Sequence, residues 1–159
     1  MVEKAGFRTQ IIGEFWGTLS ASLDRLESVM ADCSIEELNW RPPAPETNSI
    51  QVLGVHSLGH LRQGIVGVLG EGLQERDRES EFRAVATVDT VPIPDWKTTR
   101  QEMQAVLQLL EPDVLSRVYT SINRSPMTGM EMLLMMIRHT ALHEGHAELT
   151  RDLAKAALS

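Results

Sequence analysis

The stretch "IIGEFWGTLSASLDRLESVM" sets Ile12, Phe15, Leu19, Leu23, Leu26 and Met30 three or four residues apart. On a helix of about 3.6 residues per turn these side chains form one apolar stripe, which must be buried against another element. The spacing predicts a first helix over residues 5–32. Three more segments follow the same logic. Asn48 or Ser49 is an N-cap for a second helix over 49–72, which ends near Gly70 and Gly72. A third starts between Asp95 and Thr99, turns Met103, Val106, Leu107 and Leu110 inward, and stops at Pro112. Thr128 with Glu131 forms a capping box for a fourth, running to about residue 156.

The connections are legible too. Ser34 and Glu37 cap one short turn before Pro42, Pro43 and Pro45 forbid helix. The segment "LQERDRESEFRAVATVDTVPIPDW" is charged first and β-branched later, which reads as a long connection beginning as a frayed helical extension. "PDVLSRV" reads as another short turn and "NRSPMTG" as a loop. No strand pattern and no internal repeat appears. The expected fold is therefore all-α, a four-helix bundle forming a single domain over residues 1–159. The long crossover between the second and third helices favours up-down-down-up order over a simple meander. In that order the second and fourth helices are neighbours.

Composition narrows the function. With 159 residues, 42% of them hydrophobic, the chain suits one domain with a full core. It contains no run of about 18 apolar residues, so no membrane span is expected. The start "MVEKAGFRTQ" lacks the basic-then-apolar order of a secretory signal. A net charge of −7 argues against a nucleic-acid partner, which needs a basic patch. The single cysteine, Cys33, rules out an internal disulfide and fits a cytoplasmic location. Far in sequence from any histidine, Cys33 reads as a structural or partly exposed thiol. Trp16, Trp40 and Trp96 supply large apolar surface for a core or interface. Met130, Met132, Met135 and Met136 surround the start of the fourth helix as core or interface filler.

The five histidines fall in two groups. "SIQVLGVHSLGHLRQGI" places His56 and His60 four apart on one stripe with Leu53; "RHTALHEGHAEL" sets His139 and His143 below Met132 and Met136, with His146 about a turn further on. A buried imidazole without a partner costs about 1–3 kcal/mol, so such residues are either hydrogen-bonded core histidines or metal ligands. Two stripes on different helices make convergence on one point the sharper reading. The neighbours exclude familiar sites: Thr140 follows His139 where a zincin has Glu, and Leu142 precedes His143 where the inverted motif has Glu. No histidine has Glu three positions before it, which excludes the di-iron bundle motif. A mononuclear site built from neutral nitrogens remains.

The segment "LNWRPPAPETNSIQVLGVHSLGH" resembles that of the DinB-like, YfiT-like metalloenzyme superfamily, in which Trp-x-Pro and a polar linker lead into a helix bearing the first metal histidine. "HTALHEGHAEL" resembles its last-helix signature. With the following "TRDL" it is similar to the branch that includes mycothiol- and bacillithiol-dependent enzymes, although His139 stands where the mycothiol branch often has Glu. The resemblance implies that His56, His139 and His143 are the metal ligands. It implies that His146, at a position often Gln in the wider family, lines the pocket. His60 matches no ligand position and reads as a residue supporting the ligands or packing in the core; with His146 it is a candidate for proton handling. Gly145 leaves room for close helix approach and Glu144 falls on the surface.

Nitrogen-rich sites favour zinc or nickel, with iron or manganese as alternatives. The resemblance further implies a low-molecular-weight thiol as cosubstrate, a small-molecule electrophile, and a homodimer. Because Cys33 is remote, the nucleophile has to be an external thiol or water. The expected function is a metal-dependent thiol S-transferase or isomerase. The alternative is a non-catalytic metal-binding stress protein, a buffer or sensor; a purely structural bundle is the third reading.

Overall fold

Side-chain caps fix where most of the helices start. In the computed structural model, which describes residues 6–72, 75–120 and 125–159, Thr9 accepts from the Ile12 N–H and opens α1 (Gln10–Ala31). Ser34 and Glu37 form the expected capping box on α2 (Ile35–Asn39), and Ser49 caps α3 (Ile50–Arg62). Asp77 caps the short α4 (Arg78–Glu81) by accepting from the Ser80 N–H. Helix α5 (Trp96–Leu109) begins without a side-chain cap, whereas Thr128 and Glu131 box the start of α6 (Gly129–Leu158). The described residues are thus mostly helical, with four long helices, α1, α3, α5 and α6, as the apolar spacing predicts.

The expected stripe on α1 is buried at every position, from Ile12 to Met30. It meets α6, and α6 also packs along α3, so the second and fourth long helices are neighbours. Met103 and Leu107 bring α5 into the same core, with Leu61, Ile65, Met132 and Met136 fully buried around them. Trp16 and Trp96 are buried and Trp40 half-buried, in keeping with the core reading. The half-buried Cys33 donates its S–H to the Val29 carbonyl at 3.2 Å. Burial pushes this thiol up to about 11, so it stays protonated. No helix among the described residues is long and apolar enough to cross a membrane.

Three details depart from the sequence reading. Helix α3 does not run on as α-helix to residue 72; from Gln63 to Leu69 it widens into a π-helical segment that ends at Gly70. A short antiparallel hairpin, β1 (Val118–Thr120) with β2 (Pro126–Thr128), replaces part of the expected turn and loop, pairing Tyr119 with Met127. Three-residue strands are too short to show alternation, and Pro126, first in β2, argues against a strand by composition. Of the expected loop, Asn123 and Arg124 lie outside the described residues. Lastly, Gly145 faces open space, not a neighbouring helix: a Cβ there meets nothing within 4 Å. By contrast, a Cβ at Gly129 would lie 2.0 Å from the Val114 carbonyl oxygen.

These two glycines give opposite expectations. Gly145→Ala should raise stability by about 0.5–1 kcal/mol, the helix-propensity difference at an exposed site. Gly129→Ala should lower it by about 1–3 kcal/mol, because backbone must move. Urea denaturation of both variants checks the signs; a loss at Gly145 would mean that a contact covers this face.

Candidate metal centre

The packing of α3 on α6 determines where the imidazoles go. The register that buries Leu53 on α3 also buries His56 and His60. On α6 the buried Met132 and Met136 lead down to the half-buried His139 and His143. One nitrogen from each of His56, His139 and His143 lies within 4.8 Å of the others. The Nε2 atoms of His139 and His143 are 3.2 Å apart. Two nitrogens bound at about 2.0–2.1 Å to a tetrahedral ion stand roughly 3.3 Å apart, so this pair has the required separation. The Nδ1 atoms of both rings are buried with no hydrogen-bond partner among the described residues. The one hydrogen-bond contact of either ring is thus the Nε2–Nε2 contact between them, and each keeps a buried nitrogen that core packing alone leaves unanswered.

His60 stacks on the His139 ring, centroid to centroid 3.8 Å with an 18° tilt. Its Nε2 is buried and unpartnered. His60 therefore props a triad ring and faces the same space. His146 is exposed, its ring 6.2 Å from that of His143.

A buried ion pair supports the third imidazole. His56 Nδ1 lies 2.9 Å from Glu81 Oε2, while Arg76 donates to both oxygens of that carboxylate at 2.7 and 2.6 Å. Arg76 also donates to Gln63 Oε1 at 3.0 Å, at the first residue of the π-helical segment. An ionised Glu81 accepts the Nδ1 proton, which leaves Nε2 of His56 with its lone pair free. Burial pushes the Glu81 pKa up, but the hydrogen bonds from Arg76 and His56 outweigh it and hold the carboxyl below its usual range. Gly59 makes the contact possible: a Cβ there would lie 2.2 Å from Glu81 Oε1. Neither Glu81 nor Arg76 is found from sequence. They fall in the charged connection, Glu81 lying 25 positions after His56, and no spacing rule links them. The only local sign is the Asp77–Ser80 cap that starts their short helix.

Burial is also the largest influence on the other rings. It lowers His139 and His143 to about 4 and His60 to about 3, with the neighbouring imidazoles, and Arg76 for His139 and His60, adding to the effect. At neutral pH His60, His139 and His143 are therefore uncharged, the form of imidazole that ligates metal. A cavity of about 680 Å³ opens above it, with His56, His60 and His139 among its walls and Gln63, Arg78 and Arg138 around them. His146 does not line this cavity.

The family model of the DinB superfamily matches residues 18–147, a span that contains every histidine and Glu81. The chain belongs to the DinB superfamily. This DinB chain shares its fold with the crystal structure of a conserved protein from Enterococcus faecalis, at 20% identity and a TM-score of 0.74. The match covers 93% of this chain and 99% of that one. No curated protein matches the chain significantly.

Two outcomes test the electrostatics and the support of His56. The three depressed histidines bind protons more weakly folded than unfolded, so protonation favours the unfolded chain. In the metal-free protein this penalty is absent above about pH 6.5, grows as pH falls, and is complete near the folded values of about 3 to 4. Urea titrations between pH 7 and 4 should therefore show a flatter decline in His60→Leu than in the wild type; parallel curves would refute the assignment for His60. Gly59→Ala should dislodge Glu81 and weaken zinc binding by about 10–100-fold, as losses around a ligand histidine typically do. Calorimetry that finds unchanged affinity would show that His56 does not depend on Glu81.

Proposed function

We propose that His56, His139 and His143 hold one divalent metal ion, and that this DinB chain is an enzyme. On this reading it activates a low-molecular-weight thiol, or water, against a small electrophile, in S-transfer or isomerisation. The observation that carries the reading is the His139–His143 pair: two Nε2 atoms 3.2 Å apart, with their other nitrogens buried and unpartnered. Zinc or nickel suits three neutral imidazoles, with iron or manganese as further candidates. A divalent ion held there would act as a Lewis acid that lowers the pKa of water or of a coordinating thiol.

The residues divide the remaining work. His56, fixed by Glu81 and Arg76, supplies a nitrogen of set tautomer from α3. His139 and His143 supply the α6 pair, and His60 holds the His139 ring in orientation by stacking. Of the two candidates for moving a proton, His60 borders the cavity, while His146 stands on the solvent side. A buffer or sensor is best served by a closed, fully ligated site, whereas a cavity of about 680 Å³ falls in the range that accommodates a small-molecule substrate. The helices are read as up-down-down-up, with the segment holding Glu81 as part of the crossover. Exposed Leu149 and Leu153 toward the end of α6 support a homodimer, and the single cysteine supports a cytoplasmic location.

His143→Ala should abolish high-affinity zinc or nickel binding, because it leaves two ligands on different helices. His60→Ala should retain binding within about 10–100-fold, since it removes only support. Calorimetric titration of the two variants separates the roles. Unchanged affinity in His143→Ala would overturn the triad, and equal loss in both would mean that His60 is itself a ligand.

A further inference from the structure

The cavity above the histidines has charged walls of one sign. Arg76, Arg78 and Arg138 line it and no carboxylate does, although the chain carries a net charge of −7. Arg76 is committed to Glu81. The other two are not. Arg25, Arg62, Arg100, Arg117 and Arg151 each hold a carboxylate elsewhere on the molecule. Among the described residues Arg78 and Arg138 have no ion-pair partner; Arg41 has none either, but it lies away from the cavity and donates to the Phe82 carbonyl. In an acidic chain with many carboxylates available, the cavity thus holds two guanidinium groups that no carboxylate answers.

Their placement is specific. The Arg78 guanidinium sits over the Phe82 ring at 4.7 Å, and that ring packs on His56 with centroids 4.7 Å apart. Arg78 is thereby held beside the site by a cation–π contact. Arg138 lies on the cavity face of α6 with Met135, His139 and Leu142, the positions that share one side of a helix. Met135 and Leu142 add an apolar wall on the same side.

We infer that Arg78 and Arg138 form an anion subsite, so that the molecule taken into this cavity carries a carboxylate or phosphate group in addition to the end that meets the metal. The inference rests on the proposed function and names its substrate class: a small organic anion with a short apolar body. Guanidinium recognises carboxylate and phosphate through paired, charge-assisted hydrogen bonds, and a cavity lined by one sign of charge concentrates the opposite one. A cationic or strictly neutral substrate would leave both charges unanswered.

The test loads the protein with cobalt(II) and titrates it with 3-mercaptopropionate or its neutral amide, reading the thiolate-to-cobalt absorption. At low ionic strength the carboxylate should bind about tenfold tighter, the increment of one charge-assisted hydrogen bond. Added salt should shrink the preference. In the Arg78→Gln/Arg138→Gln double variant the ratio should fall to about one while cobalt binds at least as tightly as in the wild type. Equal binding of the two thiols by the wild type, or a preference that survives in the double variant, would overturn the subsite. If the wild type takes up no cobalt, it is the metal reading that fails. The subsite is then judged on metal-free protein titrated with inorganic phosphate. Shifts of the Arg78 and Arg138 Nε–H resonances would support it; their absence would overturn it.

Discussion

A buried carboxylate holds the site together. Glu81 is taken out of water with Arg76 and His56, the three side chains no more than 9% exposed. Such a group is costly unless its oxygens are fully engaged, and removing one partner would leave an uncompensated charge. Here Arg76 occupies both oxygens and His56 shares one. Helix α4 has four residues and cannot be stable alone, so its docking on α3 depends on this cluster and on the notch that Gly59 provides. From that one contact follow the tautomer of His56, the position of Phe82 against its ring, and the placement of Arg78.

The same contact explains why the site looks so different from its two faces. On the α6 side the rings are held by packing: His60 stacks on His139, and the Nδ1 atoms of His139 and His143 touch no polar group among the described residues. On the α3 side His56 is held by charge. The three imidazoles are so placed that one metal ion could lie between the charge-held ring and the pair that otherwise meets only itself. Without it, the pair on α6 can share one N–H···N hydrogen bond while each ring keeps a buried Nδ1 without a partner.

Much of this was legible in the sequence, for identifiable reasons. The α1 stripe, the two capping boxes and the inward faces of α5 and α6 rest on local periodicity and side-chain chemistry, which the chain carries wherever it folds. The convergence of two histidine stripes was legible because i, i+4 pairs on apolar stripes have few uses; the choice of His56, His139 and His143 among them came from the resemblance to the DinB-like family. Glu81 and Arg76 were not, because a charged surface run and a buried clamp have the same composition until Gly59 opens a notch beneath them. The hairpin escaped notice because three-residue strands carry no period. Gly145 was misread because a glycine signals close approach only when something approaches, which the sequence of one chain does not say.

The π-helical turn after Arg62 makes α3 two tools on one axis. Its first half carries the histidines and answers to α6; the widened half, with Ile65 and Leu69 buried, packs chiefly along α5. A wider turn changes the angular phase between the two halves. The chain thus aims its imidazoles and its hydrophobic grip in directions that a regular helix of this sequence would not reconcile. The Arg76–Gln63 hydrogen bond joins the start of the widened half to the clamp that holds His56, so the two halves share one fastening.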